Sequence, residues 1–258
     1  MELPEFTLPM VQGFLICLAR VGSMIGVIPV FSGGQIPPQM RIGIAVLFSL
    51  LIYPVVADFL PQQSFSIFDI VLLLAKETIL GLLVGFLAQL VFMAAEFSGS
   101  LIGYQMGFAA ANVFDPTNQR QIALISQFQG VLAILLFLAL DVHHLFLRAI
   151  AASFEMLPPG TLNLSGGAVP MIMDVANHSL ILSLQLVTPI LALLILSNLT
   201  LGIMARVFPQ LNVFLLSFPL NIGVSFIVMG LTLGIFATML SKEFSLLADR
   251  FLQLFNLL

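Results

Sequence analysis

The chain has 258 residues, 60% of them hydrophobic and 8% charged, with a mean hydropathy of +1.16 and a formal net charge of −4. A water-soluble domain carries about a quarter charged residues, so this composition excludes one. Its scattered acidic and basic residues also exclude the clustered basic face of a nucleic-acid binder.

Residues 1–9 hold Glu2 and Glu5 and no basic residue, whereas a secretory signal opens with positive charge. The first apolar segment, residues 8–29, is therefore expected to stay in the chain. Ser32-Gly33-Gly34-Gln35-Ile36-Pro37-Pro38 closes it with turn formers. A second apolar segment covers residues 42–57. Residues 58–66, with Pro61, precede a longer third segment at 67–100. The fourth, 122–141, runs on toward Arg148. Residues 157–170 contain Pro158-Pro159-Gly160 and Gly166-Gly167 and form the longest polar stretch. The fifth segment is 175–204 and the sixth 213–240, followed by an amphipathic tail at 241–258. About 20 apolar residues cross a bilayer as a helix. Backbone groups in lipid must be satisfied within the segment, and no period-2 barrel pattern is present. The expected fold is an all-α membrane protein of about six long hydrophobic helices, kinked and broken by Gly and Pro. Arg41, Arg120 and Arg206 fall on one side of six alternating spans and Arg148, Lys242 and Arg250 on the other, so the basic residues set no clear orientation.

Glycines recur at four-residue spacing: Gly22/Gly26, Gly81/Gly85, Gly230/Gly234 and the ladder Gly99, Gly103 and Gly107. In a helix this spacing lines small residues along one face and lets backbones approach closely, either within the chain or against other subunits. Each Gly weakens a helix by about 1 kcal/mol relative to Ala, so the ladder marks a stretch that is closely clamped or able to move. It leads into Gly107-Phe108-Ala109-Ala110-Ala111-Asn112-Val113-Phe114-Asp115-Pro116-Thr117-Asn118, which reads either as an ordinary interhelical loop or as a pore-filling one.

Arg20, Lys76, Glu77 and Glu96 lie in or near apolar segments, where ionisable groups are costly and face a bundle interior or a watery cavity. Lys76 and Glu77 are adjacent, so on a helix they point about 100° apart and each needs a partner elsewhere. A structural salt bridge is favoured over a proton relay, because no series of titrating groups is present. Asp141, His143 and His144 invite a metal, but adjacent histidines on a helix diverge and zinc needs three or four convergent ligands. No metal, cofactor or catalytic residue is expected. The chain holds one cysteine, Cys17, so no internal disulfide forms. No nucleophile elbow, phosphate loop or dinucleotide fingerprint occurs, and an enzyme is not expected.

Three stretches in this order resemble the flagellar biosynthetic protein FliR family, the R-type subunits of the type III secretion export gate, a family shared with virulence-type injectisomes. They are Gln105-Met106-Gly107-Phe108 leading to Phe114-Asp115-Pro116; Leu140-Asp141-Val142-His143-His144-Leu145; and Met204-Ala205-Arg206-Val207-Phe208-Pro209-Gln210-Leu211-Asn212-Val213-Phe214 with Phe218-Pro219-Leu220. Length, hydropathy and breaks match across essentially the whole chain, and the first stretch is more flagellar than injectisome-like.

The resemblance implies a non-enzymatic channel subunit. It would assemble in one copy with five P-type and four Q-type subunits, beside the B-type switch and A-type export subunits, in the bacterial inner membrane within the flagellar basal body. Unfolded flagellar proteins would pass through. Residues 1–174 would be P-like and residues 175–240 a Q-like helical hairpin, whose tip holds Arg206, Phe208, Pro209, Gln210 and Asn212. Residues 107–118 would plug the closed channel. Apolar helices buried against partners would then look like membrane spans, so a count of six overstates lipid contact. A rival reading from the residues is a secondary transporter of a small solute using Arg20, Lys76, Glu77 and Glu96. Such folds pair broken helices in their two halves. Pro189 and Pro219 supply breaks in the second half, with no counterpart in the first.

Overall fold

The computed structural model describes residues 7–32, 36–108, 120–163, 166–210 and 212–258. Among them the only regular structure is helical: α1 (Leu8–Val27), α2 (Pro29–Ser32), α3 (Pro38–Val56) with a 3-10 turn at Ala57–Phe59, α4 (Ile67–Gly103) ending in a π turn at Tyr104–Phe108, α5 (Arg120–Ala139), α6 (Val142–Met156), α7 (Ala168–Val207) and α8 (Val213–Leu257). Among the described residues five helices are long and apolar enough to cross a membrane, and a sixth span results if α5 and α6, interrupted at Leu140-Asp141, count as one.

Prolines sit where a helix tolerates them. Pro9 and Pro38 occupy first-turn positions of α1 and α3, where no intrahelical N–H is needed. Pro54, Pro189 and Pro219 lie inside α3, α7 and α8, each of which continues through. The expected amphipathic tail is the continuation of α8, which runs unbroken to Leu257. At 1.5 Å per residue, α4, α7 and α8, with 37, 40 and 45 residues, are about 56, 60 and 68 Å long. A bilayer core is about 30 Å thick.

Two compact units divide the chain. The first consists of Met1–Leu90, Asp141–Val175 and Phe244–Leu258. Its buried side chains include Ile16, Val21 and Met24 of α1, Leu80, Val84 and Leu87 of α4, Ile150 and Phe154 of α6, and Phe244, Leu247 and Phe251 of α8. Phe146 and Phe251 meet edge to face at 5.2 Å, a favoured aromatic geometry. Two polar ties close loops: Gln12 exchanges hydrogen bonds of 3.1 and 2.9 Å with the backbone of Phe65, and the Asn163 N–H donates to Leu258 O at 2.9 Å.

The second unit consists of Val91–Leu140 and Ala176–Glu243. Its core is Ile102, Met106, Ile125, Val187, Ile190, Leu194, Val228 and Met229. Outside that core α7 and α8 keep apolar side chains in the open, among them Leu180, Leu184, Ile195, Leu199 and Ile203 on α7, and Leu215, Phe226, Ile227, Leu231 and Ile235 on α8.

Candidate functional site

The most heavily bonded polar group in the first unit is Arg20, whose side chain has no solvent exposure. Its Nε donates to Glu77 Oε2, forming a buried ion pair. Its Nη1 donates to Ser153 O at 2.8 Å, and its Nη2 to Leu157 O at 2.9 Å. Both are carbonyls at the C-terminal end of α6, where a helix leaves acceptors unsatisfied and favours a cation. The guanidinium also lies 4.1 Å from the ring centroid of Phe154, within cation–π range. Glu77 uses its other oxygen to accept the Gly160 N–H at 3.1 Å, and Lys76 donates to Gly160 O at 3.1 Å. Gly160 stands at φ +89, a conformation that favours glycine, so the Pro158-Pro159-Gly160 turn presents its backbone to both side chains. Lys76 and Glu77 thus bond opposite groups of one residue, Gly160, rather than each other, and Arg20, Glu77 and the end of α6 form one network. Ser153, Phe154 and Leu157 were not singled out from the sequence. Carbonyl acceptors leave no trace in residue type, and the Pro-Pro-Gly turn was the one available signal.

Gly81 and Gly85 let α1 lie against α4. A Cβ on Gly81 would collide with Ser23 Oγ and the Arg20 carbonyl, and one on Gly85 would stand 2.9 Å from Val27 Cβ and 3.0 Å from Met24 O.

In the second unit the glycine ladder ends α4. A Cβ on Gly99 would lie 2.7 Å from Ser126 Cα and 2.9 Å from Ile125 O, which places the backbone of α5 directly on this position. Gly103 is the last α-helical residue, and Met106 is fully buried in the core. Gly107 then leaves helical geometry at φ 93, ψ 7, with the Phe218 ring 2.8 Å from where a Cβ would be. The approach to the expected plug is therefore clamped at Gly99, Met106 and Gly107. Ala109, Ala110, Ala111, Asn112, Val113, Phe114, Asp115, Pro116, Thr117 and Asn118 lie outside the described residues, as does the Phe108 side chain.

Glu96 is half-exposed on the same face of α4. Its backbone carbonyl accepts Ser126 Oγ at 2.8 Å, and its carboxylate stands beside Gly130, where a Cβ would lie 3.1 Å from Oε1. It is not joined to Arg20, Lys76 or Glu77 in any network of the described residues. Ser98 donates to Gln129, and buried Ser197 and exposed Asn198 bond Asn221 at 2.9 and 3.0 Å, so polar groups bridge facing helices here too. At the turn between α7 and α8, Arg206, Phe208, Pro209, Gln210 and Asn212 are all exposed. Phe208 N–H bonds Met204 O at 2.8 Å, and Asn212 Oδ1 accepts the Leu215 N–H at 3.3 Å as the N-cap of α8.

The glycine pairs divide between the two readings: among the described residues, nothing lies within 4 Å of a Cβ built on Gly26, Gly230 or Gly234, and Gly22 has only ordinary contact with Ala45. One expectation needs correction: His143 and His144 do not diverge, since their rings lie 4.2 Å apart at 37° and both face Asp141. Both lie within α6, and Asp141, left-handed at φ 55, is the N-cap that precedes them.

A family model described as bacterial export proteins, family 1, matches residues 11–247. The chain is 36% identical over 250 residues to the flagellar biosynthetic protein FliR of Pectobacterium carotovorum subsp. carotovorum, covering 95% of this chain and 94% of that one. It is 34% identical to the flagellar biosynthetic protein FliR of Bacillus subtilis and 29% to that of Escherichia coli K12, each over 90% of both chains.

Proposed function

The chain belongs to the bacterial export proteins, family 1, as a membrane subunit of the flagellar export apparatus, and on that premise we propose that it is a non-enzymatic part of the channel wall. In this reading it assembles with P-type and Q-type subunits in the inner membrane at the flagellar basal body, five and four copies to its one. Residues 1–174 act as a P-like part and 175–240 as a Q-like hairpin tipped by Arg206, Phe208, Pro209, Gln210 and Asn212. Unfolded flagellar proteins pass through the assembly, and residues 107–118 block it at rest. The B-type switch and A-type export subunits are the further partners.

The supporting observation is the pairing of length with exposure on α7 and α8. Each helix is about twice as long as a bilayer core is thick, yet each keeps open apolar side chains well beyond one span: Val169 to Val207 on α7 and Leu215 to Leu252 on α8. Lipid covers about 20 residues of a helix. Other protein chains are what remains to cover the rest, and large contiguous apolar surfaces mark such interfaces. No observation favours the solute-transporter reading. Arg20 and Glu77, two of its four charges, are locked into the end of α6.

The test has two parts. Purified in mild detergent from its native membrane, the chain should carry P-type and Q-type subunits in fixed stoichiometry; a lone particle that binds a small solute sinks the reading. In the assembled complex, deletion of residues 107–118 should raise single-channel conductance. An intact deleted complex that conducts no more than the parent removes the plug.

A further inference from the structure

The turn that starts α6 combines three observations that its helical role does not explain. Asp141 occupies the N-cap of α6, a position Asp favours because its carboxylate accepts a first-turn N–H, yet it makes no such bond. Its backbone is left-handed, and among the described residues it is the one non-glycine at positive φ. Gly would fit this conformation best, and Asn and Asp also visit it. Asp forgoes its cap here, and its carboxylate instead faces two imidazoles. Asp141 Oδ1 lies 3.4 Å from His144 Nδ1 and 3.9 Å from His143 Nε2, and all three donor atoms lie within 4.8 Å of one another.

We propose that Asp141, His143 and His144 bind a borderline divalent metal ion, with Zn2+ the best match. Tetrahedral zinc takes imidazole nitrogen and carboxylate oxygen at about 2.0–2.2 Å, which sets donor atoms about 3.3 Å apart. The donor pairs to Asp141 already stand at or near that spacing, and small rotations of the open Asp141 and His144 side chains close the remainder. The carboxylate brings the negative charge that a cation requires at the positive end of a helix. Three protein ligands leave the fourth position to water. A hard ion such as Mg2+ prefers oxygen ligands and is a poor match for two imidazoles. The bound ion would fix the turn that sets the start of α6. The inference uses no part of the channel reading.

The chain contains three histidines, the third being His178 on α7, which pairs with Glu243 at 2.9 Å. That makes the assignment testable in the full chain, purified without a polyhistidine tag and with whatever subunits accompany it. Zn2+ competition against a chromophoric chelator should show one site per chain in the parent and in His178→Asn. His143→Asn, His144→Asn and Asp141→Asn should each weaken binding at least about tenfold, the scale on which even outer-shell partners act. Asp141→Asn retains a residue that accepts the left-handed turn, so its loss reports the carboxylate and not the backbone. Co2+ should give the intense visible bands of a tetrahedral site in the parent and lose them in His143→Asn/His144→Asn. Zn2+ affinity and Co2+ spectra that are the same in parent and double variant, or a site lost through His178→Asn, overturn the proposal.

Discussion

At Arg20 the physics of a single side chain sets the terms for a whole unit. A guanidinium and a carboxylate removed from water each cost several kcal/mol, which their attraction recovers only with good geometry and full hydrogen bonding. Arg20 has that: a carboxylate, two helix-end carbonyls and an aromatic face. Removing one partner is the damaging change. Arg20→Ala should destabilise the detergent-solubilised chain by about 3–5 kcal/mol by leaving Glu77 buried and uncompensated. The double change Arg20→Met/Glu77→Leu should recover most of that loss. The measurement is thermal unfolding of the full chain, and a double variant no better than Arg20→Ala refutes the pairing argument. The sequence marked Arg20 and Glu77 as groups needing partners, because charge inside an apolar run is costly wherever it falls. It did not join them, because 57 residues separate the two and nothing local encodes such a contact. His143 and His144 misled for another reason: helical backbone sets the direction of each Cβ, whereas side-chain rotamers set where the rings lie, and here they bring them together.

Between helices, four-residue glycine spacing proves to be two different features. Gly81, Gly85 and Gly99 are pressed against the backbone or side chains of a facing helix, whereas Gly230 and Gly234 face nothing among the described residues. Spacing alone does not separate the cases, because it records which face is small and not what lies against it. The two kinds respond oppositely to an added methyl. Gly99→Ala forces a Cβ onto the backbone of Ser126 and Ile125 and should cost about 1–3 kcal/mol. Gly230→Ala gains helix propensity and should stabilise the isolated chain by about 0.5–1 kcal/mol. If the open glycines seat partner subunits, Gly230→Val should also reduce recovery of those subunits in pull-down, with the melting temperature of the chain unimpaired. Normal recovery with Gly230→Val would place that face against lipid. The helices themselves were well marked: uncharged runs and Pro or Gly punctuation located nearly every break. Two places escaped: the fourth segment was read through the Leu140-Asp141 break between α5 and α6, and the last apolar segment was parted from a tail that α8 continues without a break. Lys242 and Glu243 looked like an exit from the apolar phase, but α8 passes through them to bury Phe244, Leu247 and Phe251.

For the molecule as a whole, helix length and apolar exposure together matter more than the number of spans. Hydropathy reports how unfavourable water is for a segment and is blind to whether lipid or protein replaces it. Six apolar segments were therefore legible, and their surroundings were not. A cysteine-labelling experiment separates these. In a Cys17→Ala background, single cysteines at Leu215, Ile227 and Leu231, all exposed on α8, should react in part with a membrane-impermeant maleimide when the chain is produced alone. They should become protected when P-type and Q-type subunits are produced with it. No labelling in either condition would mean that α8 lies in lipid along its length, and undiminished labelling with the partners present would mean that they do not cover it. The family membership was likewise legible in three short motifs, though of the expected plug only Gly107 and the backbone of Phe108 fall among the described residues.

The Arg20 network also has a schedule. Arg20 leaves the ribosome early, while the carbonyls of Ser153 and Leu157 follow 133 and 137 residues later. At about 5–20 residues per second, the guanidinium waits roughly 7–27 s for its acceptors. Until Glu77 follows, 57 residues on, α1 is a helix with an unanswered charge, best parked at the lipid headgroups or against an insertion factor. Its final seating waits on the end of α6, so the first helix to be made is among the last to settle.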